Sequence, residues 1–186
     1  MTVYSAVLFL HLAGSLVLFA ALVVEWFGVD FLHRAVSAEQ VHLGFRLTAV
    51  VPRLAGPSAA VIILSGGYLS ANIAGWRQGW VQVSLLTVLL IAVVGIVVSG
   101  PRTRALRRIQ FEPSGPLPSG VRRRLQDSAL FVSVCLRSAL ILGVVFLMAS
   151  KLGFAESLAA MACAAILGLL LALVIRNQRQ KLPSTA

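Results

Sequence analysis

The stretch QGWVQVSLLTVLLIAVVGIVVSGP, Gln78–Pro101, contains no charged residue, and that decides the fold. A helix needs roughly 20 apolar residues to cross about 30 Å of hydrocarbon. Working outward, Ser157–Ile175 is also uncharged, Ser128–Ser150 holds only Arg137, and Thr2–Val29 holds only Glu25 and His11. The chain is 59% hydrophobic with mean hydropathy +0.93, yet it carries 16 Lys and Arg, nearly all placed between the apolar runs. This pattern predicts an all-α, polytopic transmembrane helix bundle. A chain of 186 residues has no length left for a separate soluble domain.

Five spans are readable, at about 3–27, 41–73, 80–99, 129–150 and 156–175, within one bundle over 1–176 followed by a tail at 177–186. Pro52 and Gly56–Pro57 lie inside the second, where lost donors favour a kink. With five spans, Arg34, Arg46, Arg53, Arg102, Arg104, Arg107, Arg108, Arg122, Arg123, Arg124, Arg176, Arg179 and Lys181 all fall on one side. Arg77 and Lys151 fall on the other. Positive-inside counting then places the amino terminus outside and the carboxyl terminus in the cytoplasm, in the inner membrane of a bacterium. The first segment lacks the basic n-region of a signal peptide and reads as an uncleaved span.

The net charge of +10 would suggest nucleic acid on a soluble domain, but here the positives sit in short connections that fix orientation and meet anionic lipid headgroups. The connection 100–126 includes RTRALRRIQFEPSGPLPSGVRRRL, where Pro113, Gly115, Pro116, Pro118 and Gly120 make a bend between two arginine-rich helix extensions. Arg102, Arg104, Arg107, Arg108, Arg122, Arg123 and Arg124 form a basic surface for lipid or a partner; as a plain topogenic loop they do no more than set orientation.

Ionisable groups in hydrocarbon are costly and are functional candidates by default. At about 1.5 Å per residue, His11 lies roughly 12 Å from the outer face and Arg137 roughly 12 Å from the cytoplasmic one. Their depths differ by only about 6 Å, within reach of an arginine side chain. Tyr4, His11, Leu18 and Glu25 recur by sevens on one face, as do Arg137, Val144 and Lys151. Such stripes should face the bundle interior, although Glu25 and Lys151 stand near span ends, where snorkelling to the interface would suffice. Two readings of His11 stand open. One is an interhelical hydrogen bond, to Ser15, Ser84 or Thr87. The other is axial ligation of a b-type haem, with Arg137 near a propionate and Met161, Tyr4, a water or a second protomer as the other ligand.

Cys135 and Cys163 lie in separate spans at mismatched depths and read as small buried apolar residues. Ser65-Gly66-Gly67 and Gly14-Ser15 read as close helix contacts. Trp26, Tyr68, Trp76 and Trp80 stand where an aromatic belt belongs.

The opening LFLHLAGSLVLFAALVVEWF, together with RLAGPSAAVIILSGGYLS, GWVQVSLLTVLL and LRSALILGVVFLMASKLG, resembles the bacterial group of copper-resistance protein D and membrane-bound protoporphyrinogen oxidase. The resemblance covers spans one to four. It implies haem support by a first-span histidine, matched by His11, and by a third-span lysine whose position corresponds approximately to Ser84. That departure takes the oxidase activity out of what the resemblance implies. Three functions follow as expectations. The first is a haem- or quinone-associated redox or electron-transfer protein using His11 and Arg137. The second is a non-enzymatic structural or assembly subunit, binding membrane proteins or its own copy. The third, a permease for copper or a small solute, is disfavoured by the lack of a Met or Cys ladder.

Overall fold

In a computed structural model, residues 2–72, 75–107, 125 and 128–181 are described. They form helices α1 (Val3–Arg34), α2 (Ala38–Asn72), α3 (Gly79–Val94), α4 (Gly100–Arg107), α5 (Ser128–Ser150) and α6 (Phe154–Lys181). A single 3-10 turn, Gly75–Arg77, precedes α3, and a π-helical segment, Gly95–Ser99, joins α3 to α4. Five helical stretches are long and apolar enough to cross a membrane: Val3–Arg34, Ala38–Asn72, Gly79–Ala105, Ala129–Ser150 and Phe154–Gln178. The helices outrun the apolar stretches that mark them. α1 continues past Phe27 to Arg34, α6 continues past Ile175 to Lys181, and the 100–126 connection begins as helix. Arg108, Arg122, Arg123 and Arg124 lie outside the described residues.

Five spans put the α1–α2 connection, α4 and the end of α6 at one end of the bundle, here the basic end. The α2–α3 and α5–α6 connections lie at the other. Neither Pro52 nor Pro57 interrupts α2, which is one helix of 35 residues. The carbonyls that lose their donors to the prolines are those of Thr48 and Arg53, while the nearby hydroxyls bond back one turn, Thr48 to Gly44 (3.1 Å) and Ser58 to Leu54 (2.7 Å). At the other end, Ser150 gives way to Lys151 at φ 51°, a left-handed residue that turns the chain. α6 then restarts with the Glu156 carboxylate accepting from the Gly153 N–H at 2.9 Å.

The helices associate in two groups. α1 and α2 form a long antiparallel hairpin closed by small residues, while α3 packs on α5 and α6, which form a second hairpin. In lipid there is no hydrophobic gain from bringing two apolar helices together, so close packing must supply the attraction. Gly14 sits under Val61 and Ile62, Gly28 under Thr48, and Gly44 under Leu32. Gly143 receives Met161 and Ala164, and Gly168 receives Ala139. The outer faces are apolar and exposed, with Leu16 at 73% and Leu64 at 75%, as lipid contact requires. At the basic end, Leu32, Ala35, Val41, Leu125 and Leu130 make a small core beneath the ends of the spans.

α3 meets the start of α6 at a backbone contact: a Cβ on Gly79 would collide with the backbone of Phe154. Gly79→Ala should therefore lower stability by about 1–3 kcal/mol, the usual cost of overpacking. Gly56→Ala, with nothing within 4 Å of the new methyl group, should be tolerated. Melting temperatures in detergent check this, and equal losses from both substitutions would contradict the packing described.

Candidate functional site

Along α1 the buried positions are His11, Gly14, Ala21, Leu22, Glu25, Gly28, Val29 and Leu32, one helical stripe of small, polar and apolar residues. Because the helix runs on beyond Glu25 for two more turns, that carboxylate cannot simply lean out to water, and it is only 8% exposed. Its partner is Arg137 of α5, 7% exposed, whose Nη2 donates to Glu25 Oε1 at 2.5 Å. Arg137 Nε also donates to the Ser133 carbonyl of its own helix at 3.3 Å. Its Nη1 lies 3.6 Å from where a Cβ on Gly95 would stand. Thus the guanidinium rests over the first residue of the π-helical segment, at ordinary van der Waals distance from where a Cβ would stand. π segments interrupt the regular ladder and recur at functional positions.

Glu25, Arg137 and Gly95 bring three helices together at one point, linking the α1–α2 hairpin to the α3–α5–α6 group. The second carboxylate oxygen, Glu25 Oε2, is buried and has no hydrogen-bond partner among the described residues. Toward the opposite end, α1 and α5 diverge around a groove of about 220 Å³ lined by Phe19, Leu22, Val23, Trp26, Ser138 and Leu142. Toward the basic end, Trp26 and His33 flank Phe131 at 5.4 and 6.0 Å between ring centroids.

His11 and Arg137 are not brought together. His11 is 14 residues before Glu25 on the same helix, an axial separation of roughly 21 Å. It faces α2, with Nδ1 3.1 Å from Ser65 Oγ and the ring lying over Gly66. The Ser65 hydroxyl donates to the Val61 carbonyl, so its oxygen accepts from His11 Nδ1–H, which fixes the neutral ring's proton on Nδ1. The three partners expected from sequence are placed otherwise. Ser15 donates to the His11 carbonyl (2.8 Å), Thr87 donates to Val83 (2.8 Å), and the buried Ser84 Oγ is without a partner among the described residues.

The protein side chains expected to complete a haem site around His11 are not gathered at it. The arginine expected at a propionate is engaged by Glu25. Met161 packs against Gly143 between α5 and α6, and Tyr4 is on the same helix as His11, where it cannot ligate from the opposite side. Among the described residues, no three His, Cys, Asp or Glu side chains converge. Cys135 is buried and Cys163 exposed, and both are unbridged. Arg102 and Arg104 are exposed on α4, which ends with Arg107.

No family model, curated protein or solved structure matches the chain.

Removing one partner of a buried ion pair strands a charge, at a cost of about 3–5 kcal/mol. Glu25→Ala should destabilise the protein on that scale, and Glu25→Leu with Arg137→Met should recover most of the loss. Thermal unfolding of the single and double variants in one detergent decides it. Additive losses would mean that the two side chains do not depend on each other.

Proposed function

We propose that the protein is a non-enzymatic structural or assembly subunit of a bacterial inner membrane, with the basic end in the cytoplasm. The observation that carries this reading is how the intramembrane polar groups are used. His11 joins α1 to α2 through Ser65, and Arg137 joins α5 to α1 through Glu25, at two levels about 21 Å apart. A catalytic or transport site needs such groups to converge on a substrate, whereas these tie one helix to the next. The positive-inside asymmetry supports the orientation.

The face open to a partner is on α6. It packs on α5 through Met161, Ala164 and Gly168, leaving Ala155, Ala159, Ala162 and Cys163 exposed beside Leu158 and Ile166. Small residues four apart allow another helix to approach closely in lipid. A second reading, haem held between two protomers, draws on one observation. With its proton on Nδ1, His11 has Nε2 as the ring nitrogen able to ligate.

Purification in mild detergent with quantitative mass spectrometry should recover a membrane protein, or a second copy of this chain, at fixed stoichiometry. Ala159→Leu should reduce that recovery. A solitary monomer, indifferent to Ala159→Leu, would overturn the proposal. An absorption spectrum separates the two readings: a Soret band lost in His11→Ala would favour the haem reading, and a colourless preparation the structural one.

A further inference from the structure

The face of α2 turned away from α1 carries Arg46 and Arg53, both exposed. They are seven residues apart, so they share one side of the helix about 10 Å from each other along its axis. The α1-facing side holds Val41, Gly44, Thr48, Val51, Ser58, Ile62 and Ser65, which places the two arginines on the reverse. Neither has an ion-pair or hydrogen-bond partner among the described residues. This differs from Arg137, which is buried against Glu25, and from Arg34, whose Nε is 2.9 Å from Asp30.

Depth makes the difference important. Gly28 meets Thr48, Gly14 meets Ser58, and His11 meets Ser65, so Arg53 lies level with about Val23 of α1. From Asn72 back to Arg53 the helix rises roughly 28 Å, close to the full thickness of the hydrocarbon. Arg53 therefore stands at the basic-end boundary of the bilayer, and Arg46 stands in the headgroup layer beyond it. An unpartnered guanidinium there requires an anion or water, and it reaches for both along its own stem. Val50, 42% exposed, lies between the two arginines, and Pro57 and Leu64 continue the same side into the hydrocarbon. His42 is one turn beyond Arg46. The carboxylate on this side, Glu39, is farther out still, about 10 Å from Arg46.

We propose that Arg46 and Arg53 form a binding site for the phosphate of an anionic phospholipid, whose acyl chain lies along Val50, Pro57 and Leu64. A soluble anion would gain the charge contact but not the apolar track, and a zwitterionic lipid would bring its own cation to the arginines. The inference is independent of the assembly reading and of which side of the membrane the basic end faces.

The test is native mass spectrometry of the full chain released from nanodiscs containing phosphatidylglycerol or phosphatidylcholine. R46Q or R53Q alone should weaken phosphatidylglycerol retention roughly fivefold, and the pair roughly thirtyfold, from about one unit of binding energy per arginine at an anionic surface. Phosphatidylcholine retention should not change, nor should R176Q on α6 affect either lipid. Undiminished phosphatidylglycerol retention in R46Q/R53Q would overturn the site. So would an equal loss in R176Q, which marks diffuse charge, or displacement of the lipid by inorganic phosphate, which marks a soluble anion. Should the double variant fail to fold, a photoactivatable phosphatidylglycerol on the wild-type chain gives the answer. Labelling confined to the α2 segment around residues 43–57 supports the site, and labelling confined to α6 refutes it.

Discussion

A charge buried between helices has to be answered by another charge, and in this chain that constraint joins the bundle together. The α1–α2 hairpin and the α3–α5–α6 group each have an internal reason to cohere, since glycines and alanines let their helices approach closely. Between the groups that kind of contact is sparse, and the Glu25–Arg137 pair supplies a directional bond beside the buried cluster of Val29, Phe131, Val134 and Cys135. The seam has a gap as well, the groove bounded by Phe19, Leu22 and Leu142. Without the ion pair, burial of either side chain would have no compensation, so the two helices are held at the one level where both charges are answered.

This pairing also settles how the intramembrane polar residues divide their work. His11 is a partner within the first hairpin, whereas Arg137 is a partner between groups. Their separation follows from the length of α1, because a straight helix carries residues two heptads apart to different depths on the same face. A chain arranged in this way keeps its polar groups for internal alignment and offers lipid an almost wholly apolar exterior. The charged exceptions stand toward the two ends, most of them at the basic one.

The helical, membrane-spanning character of the chain was legible because uncharged runs of that length have few other physical explanations. The stripe containing His11 and Glu25 was legible too, from its spacing. Their partners were not, and the reason lies in where the helices stop. Ending the first span at Phe27 puts Glu25 at a membrane surface, where a carboxylate can remain solvated; continuing it to Arg34 buries the same residue. The same three-residue connection, Ala35–Ser37, fixes the antiparallel register that sets His11 beside Ser65. Hydropathy does not report that register, since Arg34, Glu39 and Arg46 are polar residues within continuous helix. The prolines point in the opposite sense: Pro52 and Pro57 signal an interruption, but α2 runs through both as one helix.

The π-helical segment at Gly95–Ser99 amounts to one surplus residue in an otherwise α-helical rod. An α-helix advances about 100° per residue, so that surplus sets the azimuth of everything after it relative to α3. Arg102 and Arg104 are aimed by it, while Arg137 rests on the glycine where the surplus begins. A lineage that lost this single codon would keep its hydropathy profile and its charge count. It would nonetheless present its α4 arginines in a different direction, a change that composition alone could not register.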